Sequence, residues 1–129
     1  MRARQARRIL RANSLFDLGL GLLLLLASWE GLYRVLGLPP PRPAVFPGLA
    51  GVLLLGFAYL LWVAPDYTVL GRRVAEVAAI VNGLGAAVIL LWLATGPAGV
   101  RPLGVAIALL IALAMGAFAA LEGRLASGL

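Results

Sequence analysis

Residues 11–34 read RANSLFDLGLGLLLLLASWEGLYR, and Asp17 stands at the head of an otherwise uncharged run of Gly and Leu. A helix needs about 20 mostly apolar residues to cross the hydrocarbon core of a bilayer, and this stretch provides them. The rest of the chain has the same character. Of its 129 residues, 63% are apolar and only 12% charged, with a mean hydropathy of +1.02. Soluble domains carry about 25% charged residues. Too little polar side chain exists here to cover a water-facing surface, so the chain reads as an integral membrane protein.

Four segments are long and apolar enough to span. The first covers about 12–36 and ends at the PPPRP run of 39–43. The second covers about 46–64, with Pro47 tolerated in a first helical turn. The third covers about 68–94, after the turn-forming Pro65-Asp66, and the fourth about 102–122, after TGPAGVRP. Connections this short make consecutive helices antiparallel neighbours. The expected fold is all-α: one transmembrane domain, 1–129, built as an up-down bundle of four helices.

Arginine distribution orients the bundle. Arg2, Arg4, Arg7, Arg8 and Arg11 precede the first span, Arg72 and Arg73 follow the Pro-Asp turn, and Arg124 follows the fourth span. Only Arg34, Arg42 and Arg101 fall on the opposite side. Positive charge collects on the cytoplasmic side, so both termini are expected in the cytoplasm. The aromatics suit this, with Trp29, Tyr33 and Trp92 at outer ends and Tyr59, Trp62 and Tyr67 at inner ends, as an interfacial belt. A basic segment before an apolar run also begins a signal peptide, but the apolar stretch is long and ASWEG is a poor cleavage site. The first span is expected to be retained.

The missing residue types exclude much chemistry. The chain has no cysteine and no histidine, and all eleven of its basic residues are arginine. Thiolate nucleophiles, iron–sulfur clusters, imidazole metal ligands and lysine Schiff bases are therefore unavailable. The carboxylates are Asp17, Glu30, Asp66, Glu76 and Glu122. Catalysis by this chain and a bound cofactor are not expected. The basic charge is read as lipid-facing, with membrane lipids rather than nucleic acid as its partner.

Apolar side chains gain nothing by meeting one another in lipid, so helices associate through close backbone approach and buried polar contacts. Two stripes of small residues at spacing four suit such approach. One is Gly71, Ala75, Ala79, Gly83 and Ala87; the other is Gly104, Ala108, Ala112, Gly116 and Ala120. They predict packing of the third and fourth spans on each other or on a second protomer, with Gly83 or Gly116 intolerant of Leu.

The polar residues fall mainly at one level. Counted from the cytoplasmic ends of the spans, Asn13, Asp17, Arg72, Arg73, Glu76 and Glu122 form a single layer. The expected contact is Asp17 with Arg72 or Arg73, helped by the position of Asp17 near a helix N-terminus. Arg72 and Glu76 stand at i and i+4, as do Glu30 and Arg34 on the outer side. Asn82 lies alone near mid-membrane, where an amide bonds across helices. Asp17, Glu76 and Asn82 together outline a polar path.

The layout is a basic start, a long first helix with an aromatic-polar end, a Pro-rich outer loop and a Pro-Asp inner turn. It resembles the broad group of bacterial four-helix membrane proteins of the DoxX-like type. That resemblance implies a four-helix bundle and, through members linked to redox partners, proximity to quinones or oxidoreductases. The small multidrug resistance transporters share helix count and an acidic residue in the first span, but their glutamate context and aromatic loop motif are missing. VNGLG at 81–85 faintly resembles an element of small fluoride channels, whose threonine-rich break is absent.

Two functions are therefore expected, from different classes. The first is a small non-catalytic protein of the bacterial inner membrane, acting by helix association as an accessory subunit or homo-oligomer. The second is a small proton- or ion-coupled transporter or channel that uses Asp17, Glu76 and Asn82. A lipophilic ligand such as a quinone, held near Trp29 or Trp92, is a further option.

Overall fold

The computed structural model describes residues 2–26, 30–42, 45–66 and 68–128, without the side chains of Arg2 and Glu30. The helices are α1 (Arg2–Leu26), α2 (Glu30–Leu36), α3 (Val45–Val63), α4 (Thr68–Ala94) and α5 (Pro102–Ala126), with a 3-10 turn at Ala64–Asp66 between α3 and α4. No strand occurs among the described residues. Helices α1, α3, α4 and α5 are each long and apolar enough to cross a membrane.

The bounds of α3, α4 and the start of α5 coincide with the hydropathy windows to within a residue or two. Helix α1 does not. It begins ten residues before the apolar stretch, because RARQARRILR is a polar helix former that carries the helix beyond its apolar part. It also ends at Leu26 rather than running to 36, with Glu30–Leu36 forming the separate helix α2. Helix α5 likewise runs four residues past the expected end, through GRLA. Trp29 and Tyr67 lie outside the described residues, as does the side-chain pairing of Glu30 with Arg34.

The helices form two tight pairs, α1 with α3 and α4 with α5, joined by a few contacts between pairs. In the first pair the backbones meet at glycine. A Cβ at Gly51 would stand 2.7 Å from the Gly21 carbonyl oxygen, and one at Gly21 would stand 3.0 Å from the Gly51 oxygen. In the second pair a Cβ at Gly85 would collide with the Met115 side chain. At the far end, Gly37 adopts φ 72 and lies so close to Gly104 that neither tolerates a Cβ. There the Gly37 carbonyl accepts from the Arg101 amide at 2.9 Å, and the Arg101 guanidinium donates to the Arg34 carbonyl.

The small-residue stripes are only partly the packing faces. On α5, Gly104, Ala108 and Ala112 are buried, but Gly116 is half-buried and Ala120 exposed. A Cβ at Gly116 would meet nothing within 4 Å. On α4, Ala75 is buried, Gly71, Ala79 and Gly83 are half-buried, and Ala87 is exposed. The buried face of α4 is Val74, Ala75, Ala78, Asn82 and Ala86. A strict spacing of four drifts around a helix of 3.6 residues per turn, so a straight neighbour cannot cover all five positions. Gly83 still faces α5, with its Cβ position 3.8 Å from that of Ala119.

The two pairs join at the end that carries both termini. Leu10, Leu61, Ala64, Val74, Ala75, Ala78 and Ala126 form an apolar knot drawn from every long helix and the 3-10 turn. Asp66 is held beside it by Arg7 at 3.0 Å and Arg11 at 3.6 Å. The Arg11 guanidinium also lies 4.8 Å above the Trp62 ring, an arrangement that adds cation–π attraction.

A buried carboxylate–amide node

One turn below the apolar knot, five polar side chains are buried together in the interior: Asn13, Ser14, Asp17, Asn82 and Glu122. Glu122 and Asn13 are 0% exposed, Asn82 1% and Asp17 2%. Asn13 and Asp17 share a face of α1 because residues four apart lie one above the other. Asn82 stands on the buried face of α4, and Glu122 on that of α5.

Glu122 is the hub. Its Oε1 accepts from Asn13 Nδ2 at 2.5 Å, and its Oε2 accepts from Asn82 Nδ2 at 2.9 Å. One carboxylate thus ties α1, α4 and α5 together. Ser14 adds the fourth helix, donating its hydroxyl to the Ala58 carbonyl of α3 at 2.5 Å. Below the node, Phe16 and Phe118 face each other with ring centroids 5.6 Å apart, which closes it toward the far end.

Asp17 is the exception. It lies within electrostatic reach of Glu122, a charge of its own sign, and its Oδ2 is buried with no hydrogen-bond partner. The Oδ1 of Asn13 is likewise buried and unpartnered. Asp17 forms no ion pair among the described residues.

The expected contact of Asp17 with Arg72 or Arg73 does not form. Arg73 Nη1 meets Glu76 Oε2 at 2.8 Å and Arg72 Nε lies 3.8 Å from Glu76 Oε1, while Arg72 Nε donates to the Ala126 carbonyl at 3.0 Å. Geometry along the helices explains this. Ten residues separate Arg72 from Asn82, about 15 Å of helix rise, so the arginines sit well above the node. Glu76, three and four residues away, captures them first. Asp17 also lies about four turns into α1 rather than in its first turns, so the N-terminal dipole does not reach it.

The single expected layer is therefore two layers. Arg72, Arg73 and Glu76 make a partly exposed ion-pair group at the rim. Asn13, Asp17 and Glu122 go to the interior, and Asn82 joins them instead of standing alone. Ser14 is illegible in the sequence: a serine four residues before Leu18 carries no signal of its own until α3 is placed beside it.

Between the rim and the node lies a cavity of about 310 Å³ lined by Gln5, Leu10, Thr68, Arg72, Ala75 and Leu125, among others. Its floor residues Leu10 and Leu125 each stand three positions from a node residue, Asn13 and Glu122. No family profile, curated protein or solved structure matches the chain. Among the described residues, no group of three or more acidic, histidine or cysteine side chains is placed to hold a metal.

Proposed function

We propose that the chain is a small multi-pass protein of the bacterial inner membrane, with both termini in the cytoplasm, that acts by association rather than by chemistry of its own. It is an accessory subunit of a membrane complex or a homo-oligomer, in a layout resembling the DoxX-like type. The observation that carries this reading is how the polar groups are used. Glu122, Asn13, Asn82 and Ser14 are spent on one another or on backbone, while long apolar faces such as Leu49, Val52 and Leu53 on α3 point outward. Eight of the eleven arginines lie in the terminal tails or after the Pro-Asp turn, which supports the orientation. Purification in mild detergent, with mass measurement of the intact particle, tests it. Recovery with a second subunit or as an oligomer is expected, and a lone monomer contradicts the reading.

One observation favours the second reading, an ion- or proton-coupled carrier. Asp17 is buried beside Glu122 with no arginine against it, so the interior holds two acidic groups without a basic partner. In this reading Asp17 and Asn82 keep their expected roles, and Glu122 replaces Glu76. Asp17→Asn then abolishes pH- or ion-coupled flux in reconstituted vesicles, whereas under the first reading it leaves the vesicles as impermeable as before.

A further inference from the structure

The node contains more acceptors than donors. Two amide groups serve Glu122, yet Asn13 Oδ1 and Asp17 Oδ2 remain buried and unpartnered. An unpaired buried acceptor forfeits its hydration without return, and a buried carboxylate lacking a counter-charge costs far more. The guanidinium groups nearest the node face other partners, although Arg11 Nε is itself buried without one. Arg11 on α1 is held by Asp66 and Trp62, and Arg72 and Arg73 on α4 by Glu76. Arg124 on α5 is exposed, and α3 contributes only the exposed Tyr59. A small cation would serve both acceptors; a proton on Asp17 is the rival partner, and the pH arm of the test below separates the two.

We propose that Asp17, Asn13 and Glu122 hold one small hard monovalent cation, of the class of Na+, between α1 and α5. Every available donor is oxygen, which selects hard cations over zinc, copper or iron. Among the described residues no third acidic, histidine or cysteine side chain joins them, short of the larger acidic sets of calcium sites. The site rests on the same residues as the second functional reading but does not require transport: a chain that binds Na+ without moving it keeps the site and fails the flux assay.

The test is thermal unfolding of the full chain in detergent, with NaCl replacing choline chloride at constant ionic strength, at pH 6 and pH 8. Wild type is expected to gain about 5 °C or more, saturably, once Na+ exceeds its Kd a hundredfold. Asp17→Asn, folded by its helical signal, is expected to lose at least tenfold in apparent Na+ affinity, while Glu76→Gln keeps the full response. If Asp17→Asn does not fold, Asp17→Glu replaces it, with an apparent affinity changed at least threefold. A wild-type protein indifferent to Na+ at both pH values overturns the proposal, and so does one that responds to pH alone. An unchanged Na+ response in the Asp17 variant overturns it as well.

Discussion

Contacts within each helix pair differ in kind from those between pairs. Inside the α1–α3 pair, Gly21 and Gly51 let two backbones approach until a Cβ at Gly51 would stand 2.7 Å from a carbonyl. Between the pairs, union depends on the apolar knot around Leu10 and on Glu122 reaching across to Asn13. Water is not available in lipid to drive apolar surfaces together, so close backbone fit and interhelical hydrogen bonds remain. Here close fit builds the pairs, each also holding a hydrogen bond of its own, Ser14 to the Ala58 carbonyl and Asn82 to Glu122. The node bond that crosses between the pairs is Asn13 to Glu122.

That division can be broken most strongly at the glycine crossing. Gly51→Leu drives a branched side chain into the α1 backbone, where nothing flexible yields, and is expected to cost about 3 kcal/mol or more. The protein should fail to accumulate folded, measured as monodisperse yield in detergent. Next comes Glu122→Ala, which leaves two buried amides without acceptors. It should cost about 1–3 kcal/mol for each stranded group and separate the pairs while leaving each helical, seen as faster proteolysis with unchanged circular dichroism. Asn82→Ala removes the bond inside the α4–α5 pair and is expected to cost about 0.6–2 kcal/mol, read as unfolding free energy rather than as separation of the pairs. Arg73→Ala touches only the exposed rim pair with Glu76, so the change should stay below about 1 kcal/mol. Gly116→Leu should have the smallest effect on folding, because its Cβ position meets nothing within 4 Å; a large loss would mean that this face packs on another chain.

The same contrast explains how much the sequence discloses. The spans were legible because hydropathy and Pro-Gly punctuation carry directly into helix length, as α4 at Thr68–Ala94 illustrates. The polar beginning of α1 was not, since hydropathy reports where a helix is apolar, not where it starts. That ten-residue offset misplaced Asp17 in depth and made Arg72 and Arg73 look level with it. Asn13, Asp17, Asn82 and Glu122 all stood out as polar residues in apolar surroundings. Their partners did not, because pairing depends on which helices are neighbours and at what height. The stripes on α4 and α5 marked small residues at a regular spacing, whereas the tightest crossing uses Gly21 and Gly51, hidden in Leu-rich runs with no repeat to flag them.

The central claim is that Glu122 joins the pairs through Asn13, with the rim arginines taking no part. A double-mutant cycle tests it most directly, combining Asn13→Ala with Glu122→Ala and, in parallel, Asp17→Ala with Arg73→Ala, each read as unfolding free energy in the same detergent. The predicted coupling is about 0.6–2 kcal/mol for the first pair and nothing beyond error for the second. A first pair that is additive, or a second pair that is strongly coupled, would contradict the account.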